Sequence, residues 1–263
     1  MSNHELSAYQ FGRRLVETGD LDPVYILLHH AGFPRPTLRR WLLAYWCFYH
    51  VGTASKLCQE TDFWAAVRAA AADKTHPRGA ERRHFRGGQA VASAAWLSEC
   101  GEGKLLSPIE GRRWAASDLM AAVRGWVGFG HWISFKVADM VERLGLAQVT
   151  FSGADLLLFE APAKGAEMLH REEGQPPLGN QGVCDWAVGR VLQELVDLTA
   201  PPGHERPLNL QEAETVLCKW KSYRNGRYHV GEDTEACRRG LLRFARNRVC
   251  QTLLRAGGKG GLW

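Results

Sequence analysis

The sequence predicts an all-α, compact, two-lobed helical fold. Three observations carry this. The helical period dominates the 263 residues. Period-two alternation is scarce, and Val149-Thr-Phe151 is too short to argue a sheet. Pro/Gly breaks separate the periodic segments, as at Gly32-Phe-Pro-Arg-Pro36, Gly174-Gln-Pro-Pro177 and Pro201-Pro-Gly203.

In chain order, apolar periodicity predicts helices near 5–18, 38–50, 60–72, 88–99, 116–125, 135–144, 182–198, 209–220 and 234–254. The 38–50 segment carries Trp41 and Trp46 among apolar neighbours, which marks them as core. In 135–144, Val137, Met140, Val141 and Leu144 fall at i, i+3, i+4, i+7 and form a core stripe; Gly145 then suits a helix C-terminus. Lys136, Asp139 and Arg143 fall on the other side, paired at i,i+3 and i,i+4. That side reads either as a solvated salt-bridge face or as one that turns Lys136 towards a phosphate or an active site. Residues 1–255 read as a single helical domain of two lobes. Gly257-Gly-Lys-Gly-Gly261 reads as a frayed end, so 256–263 is expected to be a flexible tail.

At 263 residues the chain can bury one large core or two packed lobes. A net charge of +5 permits an anionic partner without demanding one. Seven scattered cysteines, none in a C-x-x-C pair, read as free thiols in a reducing compartment, and no four-cysteine cluster spacing is present. No run approaches eighteen apolar residues, and the start Met-Ser-Asn-His-Glu lacks the features of a signal peptide. The expectation is a cytoplasmic protein without a membrane partner. His29-His30 and His76…His84 have no matched third ligand at zinc spacing, so no metal site is expected.

The most informative stretch runs from Gly128-Phe-Gly130-His-Trp132-Ile-Ser134-Phe-Lys136-Val-Ala138-Asp139 to Gly153-Ala-Asp155. A tight turn opens straight into a helix, leaving backbone N–H groups aimed past the helix start, where they suit a phosphate. Gly128, Gly130, Trp132, Ile133 and Ser134 are therefore the candidates for DNA contact, with Trp132 placed to wedge or stack on a base. The stretch resembles the helix-hairpin-helix of DNA base-excision glycosylases, spanning about 120–145. In that superfamily a Gly-rich hairpin precedes Lys-x-Ala, and the catalytic aspartate follows just under twenty residues later. Lys136-Val-Ala138 and Asp155 fit that spacing. The hairpin departs from the pattern at Trp132-Ile-Ser-Phe135, where a Pro-Gly-hydrophobe-Gly turn is expected. Asp155 also reads as an N-cap before Leu156-Leu-Leu-Phe159, a role compatible with catalysis.

Three basic clusters stand out. They are Lys74 to Gly88, with Arg78, Arg82, Arg83 and Arg86; Cys218 to Gly231; and Arg238 to Arg255, with six arginines and no acid. In the last, Arg239, Arg243 and Arg246 recur at i, i+4, i+7 as one helical stripe, which favours phosphate contact.

Taken together, Arg78-Gly-x-Glu81-Arg-Arg-His84-Phe, Trp132-Ile-Ser-Phe-Lys136-Val-Ala-Asp139, and Glu214-Thr-Val-Leu-Cys218-Lys-Trp-Lys221-Ser with Gly226-x-Tyr228-x-Val-Gly231-x-Asp233 resemble the alpha-glutamyl/putrescinyl-thymine pyrophosphorylases. These are amino acid:DNA transferases of bacteriophage DNA hypermodification. The resemblance covers roughly residues 20–255 and implies a DNA-glycosylase-like helical fold. It implies an enzyme acting on double-stranded DNA that carries a modified thymine. A separate kinase in the infected bacterial host first pyrophosphorylates hydroxymethyluracil in the DNA. An amine or amino acid then displaces the pyrophosphate from the 5-methylene carbon.

The base must be extruded to be reached. Asp155 is the first candidate for general base, with Lys136 and Glu214 as further catalytic candidates. Arg82, Arg83, Arg86, Lys219, Lys221 and Arg227 are candidates for holding the leaving pyrophosphate. No cofactor is demanded; magnesium would suit pyrophosphate, but no acidic cluster marks a place for it. A monomer is the default. A glycosylase acting on a modified base and a non-catalytic DNA-binding module stay open as alternatives.

Overall fold

The computed structural model describes residues 6–82, 85–153 and 159–263. Among them are thirteen α-helices and two short strands, so the chain is all-α in class. The helices are α1 (Ala8–Glu17), α2 (Pro23–Ala31), α3 (Arg35–Phe48), α4 (Val51–Leu57), α5 (Phe63–Ala72), α6 (Gly87–Leu106), α7 (Ala116–Arg124), α8 (His131–Arg143), α9 (Glu160–Glu172), α10 (Asn180–Glu194), α11 (Leu210–Arg224), α12 (Glu232–Leu242) and α13 (Arg248–Lys259). The strands are β1 (Arg113–Ala115) and β2 (Gln148–Thr150), paired in one two-stranded sheet. No helix of the described residues is long and apolar enough to cross a membrane.

The chain divides into two compact units. One comprises Met1–Pro23, Thr150–Thr234 and Leu262, the other Val24–Val149, Glu235–Gly261 and Trp263. In the first, α1, α9, α10 and α11 enclose a core built on Phe11, Leu15, Leu169, Val191, Val216 and Trp220. Local signals set its ends. Ser7 and Gln10 form a capping box on α1, and Asn209 with Glu212 forms one on α11. Glu212 also receives both Arg206 Nη atoms at 3.0 Å. Gly165 lets α9 approach the Leu217 carbonyl of α11, where a Cβ would overlap it.

The second unit buries Trp41, Trp46, Phe48, Leu97 and Phe135 completely. Asp62 caps α5 by accepting the Ala65 N–H at 2.9 Å. His50 caps α4: its Nδ1 accepts the Thr53 N–H at 3.1 Å, which leaves the proton of the neutral ring on Nε2. Gly52 of α4 lies against the Gly240 carbonyl of α12, again with no room for a Cβ.

Several elements differ from the sequence reading. α2, α4 and α9 were not predicted; α2 is a short apolar run ending in His29-His30 and α4 is a single short run, so neither shows an amphipathic period. The predicted 234–254 helix is two helices, because Asn247 accepts the Val249 and Cys250 N–H groups at 3.0 and 3.1 Å and starts a new one. Arg243 and Arg246 thus lie in the connecting turn, and no single stripe joins them to Arg239. The expected tail is ordered into the fold. α13 runs to Lys259, and Trp263 folds back so that its Nε1 donates to the Leu254 carbonyl at 3.0 Å and its ring covers Gly257. Val149 belongs to a strand after all, held by β1.

Two outcomes follow. Gly52→Ala forces α4 and α12 apart and should destabilise the chain by about 1–3 kcal/mol, the usual cost of overpacking, measurable as a lower denaturation midpoint in urea. For His50, burial first and the Arg243 charge second lower the pKa from 6.5 to about 4. Stability held above pH 6.5 is therefore lost as pH falls towards 4, since the unfolded chain takes up the proton more readily. His50→Asn keeps a capping side chain without that proton, so its urea midpoint should fall less steeply over this window. An unchanged slope would remove His50 from the acid response.

Candidate functional site

The first motif folds into a clamp within the second unit. The Arg78 guanidinium donates to five main-chain carbonyls, those of Phe85, His76, Ala70, Ala71 and Asp73, at 2.8–3.2 Å. Gly79 N–H donates to the Phe48 carbonyl at 2.9 Å, and a Cβ at Gly79 would strike the Tyr49 carbonyl. Arg82 ends a 3-10 turn, Ala80–Arg82, and is 8% exposed. Its Nε donates to the Cys47 carbonyl at 3.1 Å and its Nη1 to the Gly128 carbonyl at 3.0 Å. Phe85 and Phe129 flank the guanidinium at 4.6 and 5.2 Å. Burial lowers the Arg82 pKa and pushes the neighbouring Cys47 thiol up to about 12.

The consequence is positional. Arg82 ties the end of α3 to the turn between α7 and α8, and Ser93 of α6 adds a bond to the Val127 carbonyl in the same turn. Gly128 adopts φ +82°, which a side chain rarely permits, and its Cα faces Ser93 closely. Gly130 forms the N-cap of α8 without any side-chain cap. The first turn of α8 therefore presents backbone N–H groups beside a fixed glycine turn. Arg86 lies exposed at the N-cap of α6, followed by Gly87 and Gly88. Arg124 and His131 approach at 3.1 Å across the turn.

Along α8, Trp132 is half-buried and meets Tyr49 edge to face at 4.9 Å. Tyr49 is the C-cap of α3 and has φ 49°, the left-handed region. A non-glycine residue there carries roughly 1–3 kcal/mol of strain. Ile133 and Ser134 are buried, the Ser134 hydroxyl donating to the Gly130 carbonyl at 2.9 Å.

Lys136, Asp139 and Arg143 do not form a solvated face: they are 7%, 0% and 8% exposed. Because Tyr25 of α2 packs on that side, its hydroxyl donates to Asp139 Oδ2 at 2.6 Å, Lys136 Nζ approaches the same oxygen at 3.4 Å, and Arg143 lies over the Tyr25 ring at 5.0 Å. Arg143 also lies 3.9 Å from Asp139 Oδ1. One carboxylate buried between two cations is retained only when its partners offset desolvation.

The third motif is built in the first unit around Asp20, which is fully buried. Asp20 accepts from the Tyr228 hydroxyl, the Gly231 N–H at 2.7 Å, and the Thr234 N–H and hydroxyl at 2.8 Å each. Lys219 Nζ donates to the Asp20 and Leu21 carbonyls at 2.6 and 2.8 Å and pairs with Asp233 at 2.6 Å. Burial would depress the Lys219 ammonium, but Asp233, Asp22 and Asp20 outweigh it and raise the pKa. Burial first, then Asp233 and Asp20, also raises the Tyr228 pKa. Lys219 is thus committed to these acceptors. Glu214 is buried in α11 and accepts the Thr215 hydroxyl at 3.3 Å. Lys221 is half-exposed and Arg227 exposed.

Asp155 and Arg83 lie outside the described residues. Arg239 is exposed and pairs with Glu235 at 3.3 Å; Arg243 and Arg246 are exposed on the α12–α13 turn. Among the described residues no three His, Cys, Asp or Glu side chains gather as a metal-binding group. Sequence reasoning missed Asp20, Tyr25 and Tyr49. Asp20 lies some 200 residues from its partners, so no local spacing announces it.

Replacing Asp20 by alanine leaves four buried or part-buried donors without their carboxylate and should destabilise the chain by about 3–5 kcal/mol, read as a lower urea midpoint. Faster hydrogen exchange over 226–234 should accompany it; unchanged exchange there would contradict the assignment.

A family model described as amino acid:DNA transferase matches residues 12–228. The chain is 35% identical to a protein named glycinyltransferase of Pseudomonas phage PaMx11, over 93% of each chain. It is 26% identical to one named putrescinyltransferase of Delftia phage PhiW-14, over 87% of this chain and 76% of the relative.

Proposed function

Since the chain belongs to the amino acid:DNA transferase family, we propose that it replaces the pyrophosphate of 5-pyrophosphoryloxymethyluracil in phage DNA with glycine. It is a transferase that moves an amino acid or amine onto DNA. The observation that carries glycine as the co-substrate is the likeness to the glycinyltransferase along nearly the whole chain. Putrescine, named in the second relative, is the competing amine. The kinase that supplies the pyrophosphorylated base acts earlier in the infected bacterial host, where this enzyme also works.

In the reaction the neutral amine nitrogen attacks the 5-methylene carbon. A C–N bond forms, the C–O bond to pyrophosphate breaks, and pyrophosphate leaves with the electron pair. The attacking nitrogen then gives up a proton to a general base, for which Asp155 is the first candidate. The extruded base is reached from a backbone grip at the α7–α8 turn, a helix-hairpin-helix in this reading. Gly128, Gly130 and the first turn of α8 supply amide donors, and the exposed Arg243 and Arg246 add phosphate contacts.

Burial and bonding partners support an order of preference among the pyrophosphate candidates. Arg82 and Lys219 are spent on main-chain carbonyls and Asp233, which makes them supports. Arg86 and Arg227 each retain an exposed cationic end and Lys221 a half-exposed one, as separate candidates. These are the better candidates for stabilising the departing charge. Arg83 stays a candidate on sequence grounds.

The decisive assay incubates DNA carrying 5-pyrophosphoryloxymethyluracil with the protein and equimolar glycine and putrescine, followed by nucleoside mass spectrometry. A nucleoside with glycine on the methylene, and pyrophosphate released, is expected. Base loss with an abasic site would indicate a glycosylase instead. Asp155→Ala should slow transfer by about 10²–10⁴-fold, the usual weight of general base catalysis, with DNA affinity nearly unchanged. Full transfer by that variant would move the base elsewhere.

A further inference from the structure

Four aromatic rings run in unbroken contact from the core of the second unit to the start of α8. Trp41 and Tyr45 stack at 4.9 Å, Tyr45 and Tyr49 meet at 4.7 Å, and Tyr49 meets Trp132 at 4.9 Å. Trp41 and Tyr45 are buried, while Tyr49 and Trp132 are half-buried. Phe48, Phe85, Trp126 and Phe129, which surround the same turn, are buried. Two rings at 72° to each other are thus left with open surface beside the glycine turn. The backbone that carries them is fixed. Arg82 joins Cys47 to Gly128, and Gly79 is bonded to Phe48.

Tyr49 is the informative member. It ends α3 with φ 49°, where glycine is the easy residue and a ring is not. A helix terminus needs nothing that tyrosine supplies, so the strain is retained for the ring. Burial, and after it the neighbouring Tyr49, Cys237 and Glu81, raise the Tyr45 pKa and keep its hydroxyl protonated. The Tyr49 ring is therefore backed by Tyr45, itself stacked on Trp41. Such preorganised aromatic surface binds flat ligands with little ordering entropy.

We propose that Tyr49 and Trp132 together form a platform against which the extruded pyrimidine packs during amine transfer, stacked on one ring and meeting the other at its edge. This rests on the base-extrusion reading above and adds Tyr49 as a substrate-contacting residue. Every base presents a π-face, so the platform contributes affinity and position, not base identity.

The test uses the full chain with Tyr49→Gly, Tyr49→Phe and Trp132→Phe variants, and one duplex carrying a single 5-pyrophosphoryloxymethyluracil. Glycine suits the Tyr49 backbone, so Tyr49→Gly removes the ring without straining the helix end. Tyr49→Gly should lower kcat/KM for transfer about tenfold or more, a loss of ~1.4 kcal/mol, and Tyr49→Phe should stay within about twofold of wild type. Tryptophan emission should be quenched by the duplex in the wild type, and that component should vanish in Trp132→Phe and weaken in Tyr49→Gly. Wild-type kcat/KM in a folded Tyr49→Gly, or no Trp132-dependent quenching, would overturn the platform while leaving the transferase intact. If the wild type transfers no amine yet shows the Trp132-dependent, Tyr49-sensitive quenching, the platform stands and the transferase reading fails.

Discussion

One buried guanidinium sets the geometry around the glycine turn. Two main-chain carbonyls and two aromatic faces offset part of what Arg82 loses in leaving water. A lysine could not replace it, because a single ammonium cannot reach two carbonyls in a planar fork and lie between rings. The end of α3 and the α7–α8 turn are both placed by this contact. The half-exposed Tyr49–Trp132 pair and the uncapped start of α8 therefore have defined positions before any ligand arrives. Preorganisation of that kind lowers the ordering cost of binding for a transferase that acts on DNA.

Each unit carries its own buried ionic assembly. In one, Asp20 collects donors from a segment more than 200 residues away in sequence and fixes the loop before α12. In the other, Asp139 sits between Lys136 and Arg143 beneath the Tyr25 hydroxyl. Both assemblies specify how helices pair more than they add stability, because desolvation consumes most of the coulombic gain. They also explain why two of the three sequence motifs are rich in charge yet largely buried.

The helical class was legible from periodicity, and the three motifs picked out segments that the structure builds into buried hydrogen-bonded clusters. Their roles were harder to read. Lys136, Asp139 and Arg143 have the spacing of a solvated face, and only the packing of Tyr25 against them reveals otherwise. Lys219 has the composition of a phosphate ligand, but its acceptors come from Asp20 and Leu21, which no local pattern connects to it. The arginine stripe dissolved because Asn247, an unremarkable residue in a periodic run, captured two N–H groups and restarted the helix. Long-range hydrogen bonding and single capping events defeat spacing arguments in the same way: both depend on partners the window does not contain.

Arg78 illustrates a wider hazard. All of its bonds go to main-chain oxygens, those of Ala70, Ala71, Asp73, His76 and Phe85, and none to a side chain. The residues it grips are therefore free to drift in identity so long as the chain path is kept, whereas the arginine itself has no substitute. Across divergent sequences such a position would stand invariant amid variable neighbours. That is the signature usually taken to mark a reactive group, here arising from architecture alone.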